Sequence, residues 1–305
     1  MKINTAIVTG GCGFIGSHIV DNLISMGVDT FVIDNLSATS NERFYYNNLA
    51  KYYCVDICDT DKMRDIFTKK IDVVFHLAAE SRIGPTIENP EKATRTNVLG
   101  TQNILELSRL NNIKRVIYSS TSAYYGIKNN PPLKEDMPKD CLNPYSVTKI
   151  AGEDLCILYN NFFNLPTISL RYFNVYGDRS PTHGIYAPVV GLFLNYAKNH
   201  KKMPIVGDGS QSRDFIDVYD VAEANILAAT TDNKDAFGQT FNVGSGKNYS
   251  VLSIAKMIGG DYYFIDPRPG EARDTLSDNT KINNLLNWKP QKNIEDYIKR
   301  EIHVK

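Results

Sequence analysis

Two side chains about one helical turn apart, Tyr145 and Lys149, are the pair in this sequence best suited to proton transfer. Asn143 and Pro144 precede them, and these residue types favour the N-cap and the first position of a helix. Residues at positions i and i+4 share one helix face, so we expect the phenol and the ammonium to project to the same side. The ammonium would favour the phenolate form, and a phenolate can act as a general base.

A tyrosine four residues before a lysine usually belongs to a solvated helix face, so the pair needs a context. The glycine-rich stretch Thr9–Ser17 supplies one, with glycines at positions 10, 13 and 16. It lies between a short apolar run, Ala6–Val8, and an apolar-periodic segment typical of a helix. Glycines at this spacing permit a tight turn and a close approach of the backbone to a pyrophosphate. We therefore expect a dinucleotide at the N-terminus of this helix.

An acidic residue follows the glycine-rich stretch at the distance that dinucleotide binding requires. Asp34 ends the next strand-like run, Thr30–Ile33. Its distance from the last glycine is close to the spacing of about 20 residues at which a carboxylate meets the adenosine ribose. Because this carboxylate would repel a 2′-phosphate, the sequence predicts NAD rather than NADP.

Apolar strand-like runs alternate with helical patterns through the first half of the chain. The runs lie at 6–8, 30–33, 51–55, 73–77, 116–118 and 168–170, and the helical segments lie near 60–69, 92–111 and 145–163. This alternation predicts a parallel sheet with helices on both faces, in which ligands bind beyond the carboxyl ends of the strands. The polar residues that follow the strands are therefore candidates for chemistry: Asp34, Asp56, the 78–81 turn, Ser119–Thr121 and Asn174.

The alternation weakens after residue 177. Pro204–Gly209 predicts a hairpin or turn, helices are expected near 187–199, 219–230 and 250–258, and another strand is expected near 241–244. The fold class is therefore expected to be α/β, with a Rossmann-type doubly wound parallel sheet. We assign residues 1–177 to this NAD-binding domain, to which the strand near 241–244 returns. Residues 178–305 are expected to form a smaller mixed α/β part that binds the substrate and closes the site.

Composition limits the classes of partner. The chain of 305 residues has a formal net charge of zero, so neither nucleic acid nor an anionic membrane is expected as a partner. No apolar run approaches the roughly 20 residues that span a bilayer. The five cysteines predict free thiols in a reducing cytoplasm. We expect Cys54 and Cys58 to be buried thiols, His76 to be a core histidine, and no metal site, because no set of four ligands is complete.

Together with several short motifs, these features resemble the extended short-chain dehydrogenases/reductases, and within them the nucleotide-sugar epimerases and dehydratases. The matching stretches extend through nearly the whole chain: Thr9–Ser17, Asp34, Asp56, Ile57, His76–Ala79, Asn97, Ser119–Gly126, Tyr145–Lys149, Arg171–Gly177, Arg213–Val218, Asp220 and Arg268–Glu271. The resemblance implies a tyrosine base, Tyr145, with Lys149 as its partner and Thr121 as the hydroxyl at the end of a strand. The resemblance also implies that the cofactor is NAD.

The resemblance also implies two sets of binding residues. For the cofactor they are Gly10, Gly13, Phe14, Ile15, Gly16, Asp34, Asn35, Asp56, Ile57, Leu77, Ala78, Ala79, Asn97, Ser119, Tyr145, Lys149 and Phe173. For the substrate they are Thr121, Asn174, Arg213, Phe215, Arg268, Glu271 and Thr275. Arg213 and Arg268 would bind the diphosphate, since guanidinium groups contact phosphates bidentately; the alternative is surface ion pairs with Asp214 or Glu271. In related epimerases the residue at the Thr275 position gates the sugar pocket, and a small one admits N-acetylated sugars.

The residues of the turn Thr121-Ser122-Ala123 indicate which of the family's reactions a member catalyses. Family dehydratases carry an acidic pair after the threonine and decarboxylases carry a glutamate, whereas Ala123 cannot transfer a proton. The turn is similar to that of UDP-galactose-type 4-epimerases. Their chemistry needs a base for the C4 hydroxyl, a nicotinamide that takes and returns the C4 hydride, and room for the 4-keto sugar to turn over. We therefore expect 4-epimerisation of UDP-glucose and UDP-galactose, and of the N-acetylated UDP-hexoses.

Other functions stay open. A dehydratase or decarboxylase is disfavoured by Ala123. The turn Ala79–Gly84, however, begins as it does in dehydratases, so the identity of the nucleotide sugar stays open. An NADP-dependent reductase is disfavoured by Asp34. An NAD-sensing regulatory protein is disfavoured because Tyr145 and Lys149 are both present. The resemblance further implies a homodimer formed through the helices near 92–111 and 145–163.

Overall fold

The computed structural model describes residues 1–38, 43–184, 187–267 and 272–303. Its largest sheet contains seven strands: β1 (Thr5–Thr9), β2 (Asp29–Asp34), β3 (Lys51–Cys54), β4 (Val73–His76), β5 (Arg115–Thr121), β6 (Thr167–Tyr172) and β10 (Gln239–Val243). All neighbours pair in parallel, in the order β10-β6-β5-β4-β1-β2-β3. The Rossmann-type sheet is confirmed, and the strand predicted near 241–244 forms its edge next to β6.

Helices cover both faces of this sheet. The helices are α1 (Phe14–Ser25), α2 (Thr60–Phe67), α3 (Ile83–Glu88), α4 (Pro90–Thr94), α5 (Thr101–Leu110), α6 (Pro144–Phe163), α7 (Val189–Lys198), α8 (Val218–Thr230), α9 (Val251–Ile258), α10 (Thr280–Leu286) and α11 (Ile294–His303). A π-helical turn, Arg95–Gly100, joins α4 to α5. Side chains of α1 and α8 contribute to the core on one face, and those of α2, α5 and α6 to the core on the other. None of the helices in the described ranges has the length and apolar character needed to cross a membrane.

The apolar runs of the sequence are explained by burial on both faces. Ala6 and Val8 of β1 point into the core beneath α1, and Ile7 between them points into the opposite core. Successive side chains of a strand face opposite sides, so a strand covered on both faces must be apolar throughout. The alternation of strands and helices was therefore a sound basis for predicting the sheet.

Strand β10 returns to the large sheet, and most other residues after β6 form two small sheets and a third core. Strand β9 (Ser212–Asp217) lies between β7 (Asn174–Tyr176) and β11 (Asn248–Ser250), and β8 (Met203–Val206) pairs in parallel with β12 (Tyr262–Ile265). Helices α7, α9 and α11 enclose a third core against these strands. Helix α8 instead packs on α1 beside the large sheet, so the second half of the chain contributes to both layers.

Three predictions are corrected by the structure. Ser119–Thr121 continue strand β5, and the turn begins at Ser122. The stretch Pro204–Gly209 is a turn only after Val206, because its first residues belong to β8 and hydrogen-bond to β12. Cys54, the last residue of edge strand β3, is exposed, and Cys58 in the loop that follows is half-buried. All five cysteines are free, as predicted.

The start of α6 is determined locally, as the sequence predicts. The Asn143 side chain accepts a hydrogen bond from the backbone N–H of Ser146 at 2.9 Å, and Pro144 occupies the first helical position. The Ser146 hydroxyl and the backbone N–H of Asn143 complete a capping box at 3.2 Å. A side-chain cap of this kind satisfies N–H groups that the helix itself leaves unpaired.

A buried ion pair anchors α6 on β6. The Arg171 guanidinium donates to the Glu153 carboxylate at 2.6 and 3.1 Å, and both side chains are 3% exposed. Ser120 of β5 donates to the same carboxylate at 2.7 Å. Arg171 also stacks on the ring of Tyr124, with its central carbon 3.3 Å from the ring centroid. The pair therefore connects α6, two strands and the turn after β5.

We expect Glu153→Ala to lower the free energy of unfolding by about 3–5 kcal/mol, because it leaves the Arg171 charge buried without its partner. The neighbouring residue offers a matched control on the same helix. Asp154 pairs with Lys139 at 2.9 Å in an exposed position, so Asp154→Ala should cost about 1 kcal/mol or less. Denaturant unfolding followed by circular dichroism measures both variants. Equal losses in the two variants would contradict the role given to the buried pair.

Candidate active site

A cavity of about 700 Å³ opens at the carboxyl ends of β1, β2, β4, β5 and β6. The C-terminal units close its other side through residues such as Val206, Arg213 and Val251. Most of the predicted site residues line it: Gly10, Gly13, Phe14, Ile15, Gly16, Asp34, Asn35, Ile57, Leu77, Ala78, Ala79, Ser119, Thr121, Tyr145, Lys149, Phe173, Asn174, Arg213, Phe215 and Thr275. Arg268 and Glu271 lie outside the described residues.

The glycine-rich stretch has the shape that a pyrophosphate requires. Gly10 has a φ of 68°, and a Cβ atom there would lie 2.8 Å from the backbone nitrogen of Ala78. A Cβ on Gly16 would collide with the carbonyl oxygen of Gly10. Helix α1 begins after Gly13 without a side-chain cap and without an acidic residue in its first turn. Its free N–H groups therefore face the cavity and suit the phosphates of NAD.

Asp34 is held in place next to this stretch. One carboxylate oxygen accepts a hydrogen bond from the backbone N–H of Cys12 at 3.0 Å, and the other accepts from Leu36 at 2.9 Å. Burial raises the pKa of the Asp34 carboxyl, and these two backbone bonds oppose the shift. The residue is thus fixed where a ribose hydroxyl could donate to it, which fits NAD.

Two of the predicted cofactor residues support the cavity from outside its lining. Asp56 accepts a hydrogen bond from the Asn35 side chain at 3.0 Å. Asn97, in the π-helical turn, is 1% exposed; its amide accepts from the Glu80 N–H at 2.8 Å and donates to the Glu80 carbonyl at 3.0 Å. It also donates to Thr148 of α6 at 3.0 Å. Asn97 therefore fixes the turn after β4 relative to α6, and its contact with the cofactor stays a prediction.

Tyr145 and Lys149 have different neighbours, although they share one helix. The Tyr145 side chain lines the cavity with Thr121, whose hydroxyl helps to lower the pKa of the phenol. Lys149 is 3% exposed, and its ammonium lies 4.2 Å from the centroid of the Tyr118 ring. The Tyr118 hydroxyl donates to the backbone carbonyl of Lys149 at 2.9 Å, which seats this turn of α6 on β5. The predicted base, hydroxyl and lysine are therefore brought to the same end of the cavity.

Burial dominates the protonation of this group. It raises the pKa of Tyr145, while the hydrogen bond from Thr121 and the charge of Arg82 lower it in part. Burial also lowers the pKa of Lys149, to about 7. The Arg82 charge also lowers the pKa of the phenol, and the Lys149 ammonium lies over the Tyr118 ring. The effect of the Lys149 charge on the phenolate of Tyr145 stays a prediction.

Sequence reasoning missed several residues of the lining. Arg82 follows the turn after β4, and its only signal was that this turn departs from the pattern of the epimerases. Pro204, Val206 and Gln211 also line the cavity. The first two come from strand β8, which the sequence presented as a turn.

Asp214 organises the part of the cavity lining that contains Asn174 and Thr275. Its buried carboxylate accepts hydrogen bonds from the backbone N–H groups of Ser245, Gly246 and Ser277 at 2.6, 3.0 and 2.9 Å. Its backbone carbonyl accepts from the Asn174 side chain at 3.1 Å. The Thr275 hydroxyl accepts from the Asp214 N–H at 3.2 Å. These bonds hold Asn174 and Thr275 at the cavity wall.

Arg213 lies at the same wall with its guanidinium supported by the backbone. It donates to the carbonyl oxygens of Ser212 at 2.9 Å and Arg273 at 2.8 Å. The alternative of an ion pair with Asp214 is disfavoured, because the Asp214 carboxylate is committed to backbone N–H groups and to the Ser245 hydroxyl. A guanidinium oriented in this way at a cavity wall is suited to contact a phosphate.

His76 is a core histidine, as predicted. Its ring nitrogens hydrogen-bond the hydroxyl groups of Thr9 at 2.7 Å and Thr101 at 3.0 Å. Burial and the nearby Lys149 charge lower the pKa of His76 to about 3, so it stays neutral. Within the described ranges, no group of three or more His, Cys, Asp or Glu side chains could hold a metal ion.

Comparisons with known proteins agree with this geometry. The chain is 34% identical over 295 residues to the UDP-glucose 4-epimerase of Mycolicibacterium smegmatis, with 93% of each chain covered. Among solved structures, the UDP-glucose 4-epimerase of Thermotoga maritima with UDP-glucose has a TM-score of 0.91 and 32% identity, covering 98% of this chain and 97% of the other. The UDP-N-acetylglucosamine 4-epimerase of Methanobrevibacter ruminantium also has a TM-score of 0.91, with 34% identity and coverage of 99% and 98%.

The family model covers the sheet and the site together. The NAD dependent epimerase/dehydratase family matches residues 6–244, which extend from β1 to the end of β10. That range contains the glycine-rich stretch, Asp34, Thr121, Tyr145 and Lys149. With these residues assembled around one cavity, the chain belongs to the NAD-dependent epimerase/dehydratase family.

Proposed function

We propose that the protein is an NAD-dependent 4-epimerase of UDP-hexoses, acting on UDP-glucose and UDP-galactose and on their N-acetylated counterparts. The observation that carries the proposal is that Thr121, Tyr145 and Lys149 line one cavity in which residue 123 is alanine. This arrangement can move the proton of a sugar hydroxyl but offers no acid at the position used by dehydratases. The similarity to UDP-glucose and UDP-N-acetylglucosamine 4-epimerases supports the same function.

We assign the following roles in the proposed reaction to the residues of the site. When bound, NAD supplies the reversible oxidation of a sugar alcohol to a ketone. Tyr145, as phenolate, accepts the proton of the C4 hydroxyl directly or through Thr121, and later returns it. Lys149, which lines the cavity one turn further along α6, would hydrogen-bond the nicotinamide ribose. The glycine-rich stretch and Asp34 hold the pyrophosphate and the adenosine ribose.

The substrate side would hold the diphosphate and leave the sugar free to turn. Arg213 and Asn174 line the cavity away from the glycine-rich stretch, where a second diphosphate would lie. A 4-epimerase must present both faces of the 4-keto sugar to the nicotinamide. The sugar therefore has to rotate between the two half-reactions. A cavity of about 700 Å³ shared with the cofactor leaves room for this movement.

A dehydratase on the same scaffold is the second candidate, since Glu80 is a carboxylate in the cavity lining. Glu80 is paired with Lys92 at 2.7 Å, however, and its backbone is fixed by Asn97. The Glu80 carboxylate is thus held by Lys92 instead of standing free in the cavity. The geometry therefore favours epimerisation over elimination.

We also propose a cytoplasmic homodimer. Helices α5 and α6 pack side by side and expose large apolar side chains, including Leu110, Leu158 and Phe162. A second copy of the same face would remove this apolar surface from water. The five free thiols are compatible with a reducing compartment.

The first experiment is a proton NMR time course with UDP-galactose and UDP-GalNAc in separate tubes, without added reductant. We expect the C4 epimer to accumulate to an equilibrium mixture in both tubes, because the cofactor is regenerated in each turnover. A 4-keto-6-deoxy product would establish the dehydratase instead. The absence of any product signal in both tubes would overturn the proposed substrate class.

Tyr145→Phe should lower the rate of epimerisation on the order of 10²–10⁴-fold, because it removes the group that exchanges the proton. The variant should still contain bound NAD, since the pyrophosphate and ribose contacts are unchanged. The NMR time course gives the rate, and NAD released from the denatured protein gives the occupancy. Near-normal turnover would exclude Tyr145 as the base.

Thr275→Tyr should reduce kcat/KM for UDP-GalNAc relative to UDP-galactose on the order of tenfold or more, because its ring would fill the sugar end of the cavity. The matched control is Thr275→Ser, which keeps the hydroxyl that accepts the Asp214 N–H. This control should preserve the preference of the wild type. An unchanged ratio in the tyrosine variant would contradict the gate.

Phe162→Asp combined with Leu158→Asp should convert a dimer into a monomer, because two charges would then face each other across the interface. Phe162 is 75% exposed in the single chain. Leu49→Asp serves as the control, since Leu49 is 74% exposed in a loop far from these helices in sequence. Light scattering after size exclusion gives the mass. A monomeric wild type would refute the homodimer.

A further inference from the structure

A chain of buried side-chain hydrogen bonds runs from helix α8 to the cavity wall, and the proposed reaction gives it no role. The Asn225 side-chain nitrogen donates to the Tyr172 hydroxyl at 2.8 Å, and the hydroxyl oxygens of Tyr172 and Ser119 are 2.9 Å apart. All three side chains are buried. Ser119 and Tyr172 line the cavity, whereas Asn225 lies behind this lining on α8. The chain therefore connects a residue behind the cavity to a hydroxyl in its wall.

Strand geometry places this hydroxyl at the reacting end of the cavity. Ser119 and Thr121 are two residues apart on β5, so their side chains face the same side of the sheet. Tyr172 lies opposite Thr121 in the parallel register of β5 and β6. Thr121 shares the lining with Tyr145. A nicotinamide that exchanges a hydride with the sugar would lie at this end, within reach of Ser119.

Packing alone does not account for an amide at position 225. Val221 and Ala228, on the same face of α8, belong to an apolar core. Burying an amide among such residues costs free energy unless its groups are hydrogen-bonded. Among the described residues, the Asn225 side chain bonds only to Tyr172 and to the Val221 carbonyl oxygen of its own helix. An apolar side chain would avoid this cost, so the specific contribution of the amide is its bond to Tyr172.

The bond to Val221 determines which way the amide points. A backbone carbonyl only accepts hydrogen bonds, so the amide atom 2.8 Å from the Val221 oxygen is the nitrogen. This nitrogen is also closer to the Tyr172 hydroxyl than the amide oxygen is, at 2.8 Å against 3.0 Å. Burial raises the pKa of Tyr172 to about 12, so the phenol keeps its one proton at neutral pH. With the nitrogen donating to it, the phenol is left to donate to Ser119.

We propose that Asn225 is a positioning residue that acts through Tyr172 to direct the Ser119 hydroxyl proton into the cavity, towards the carboxamide oxygen of the nicotinamide. Because Tyr172 donates to the Ser119 oxygen, Ser119 keeps its own proton for an acceptor in the cavity. A hydrogen bond to the carboxamide would hold the nicotinamide ring in one orientation towards the sugar. This inference rests on the proposed NAD-dependent reaction and on Ser119 as a cofactor-binding residue.

The direction of the Ser119 proton can be measured by cofactor exchange without any sugar. Holoenzyme is incubated with equal concentrations of NAD and acetylpyridine adenine dinucleotide until the ratio of the two bound dinucleotides is constant. The analogue keeps a carbonyl oxygen that can accept a hydrogen bond but lacks the amide N–H groups that can donate one. A Ser119 hydroxyl that donates contacts both dinucleotides equally. Ser119→Ala should therefore weaken both and change the bound ratio by less than about twofold.

Asn225→Asp should reverse the direction of the chain. A protonated carboxyl group would give its proton to the Val221 carbonyl and accept from Tyr172 with its other oxygen, and an ionised one can only accept. Ser119 would then donate to Tyr172 and present a lone pair to the cavity. NAD can turn its amide N–H groups towards that lone pair, and the analogue cannot. We expect the bound ratio to shift towards NAD by about five- to tenfold, the effect of one hydrogen bond.

Asn242→Asp is the matched control, because Asn242 is another buried amide bonded to a tyrosine and to a backbone carbonyl. It accepts from the Tyr125 hydroxyl at 2.6 Å and donates to the Leu133 carbonyl oxygen at 2.8 Å. Neither Asn242 nor Tyr125 belongs to the described lining of the cavity. This control should leave the bound ratio unchanged.

The double variant shows whether Asn225 acts through Ser119. In the Ser119→Ala background, Asn225→Asp should no longer shift the bound ratio, because the hydroxyl that carries the effect is absent. A shift that persists there, or an unchanged ratio in Asn225→Asp alone, would overturn the proposal.

Two further points keep the test decisive. If Asn225→Asp does not fold, Ser119→Ala still tests the direction. A bound ratio that moves towards the analogue in that variant would mean that Ser119 accepts from the amide of NAD, against the proposal. Since the exchange uses no sugar, it tests Asn225 even if neither UDP-galactose nor UDP-GalNAc is epimerised.

Discussion

The attachment of α6 to β5 and β6 is the contact on which the site depends. Tyr118 donates to the backbone of Lys149, Ser120 donates to Glu153, and Arg171 pairs with Glu153 where both are shielded from water. Each bond joins α6 to a strand whose carboxyl end forms the cavity. The helix therefore cannot rotate about its axis without breaking a buried polar contact, which is costly. This constraint directs Tyr145 and Lys149 to the cavity.

Burial gives the site its electrostatic character. Tyr145, Lys149 and His76 all lose hydration, and in each case the pKa moves in the direction that disfavours charge. The Nε atom of Arg82, in the same lining, is shielded from water and has no hydrogen-bond partner among the described residues. A cavity lined by the Arg82 and Arg213 guanidinium groups and by the free N–H groups of α1 is suited to an anionic ligand. Low solvent access makes each of these charges act more strongly than it would in water.

The second half of the chain is connected to the first by backbone bonding around Asp214. One buried carboxylate gathers N–H groups from two separate loops, and the same residue contacts Asn174 and Thr275 through its backbone. This bonding holds Asn174 and Thr275 in the lining of the same cavity as the glycine-rich stretch, although distant parts of the chain form that lining.

The sequence by itself determined the parts that depend on neighbouring residues. The glycine spacing, Asp34 at the end of β2, the Asn143 cap and the apolar strands all follow from local backbone geometry and from burial of a sheet on both faces. Tertiary structure alone decided which distant side chains meet. It brought Arg82 and Tyr145 into the lining of one cavity, placed Lys149 over the Tyr118 ring, bonded Asn97 to the turn after β4 and left Cys54 exposed at the sheet edge. The reason is physical: propensity and periodicity act over a few residues, whereas the charge and solvation of a side chain depend on elements packed against it from elsewhere in the chain.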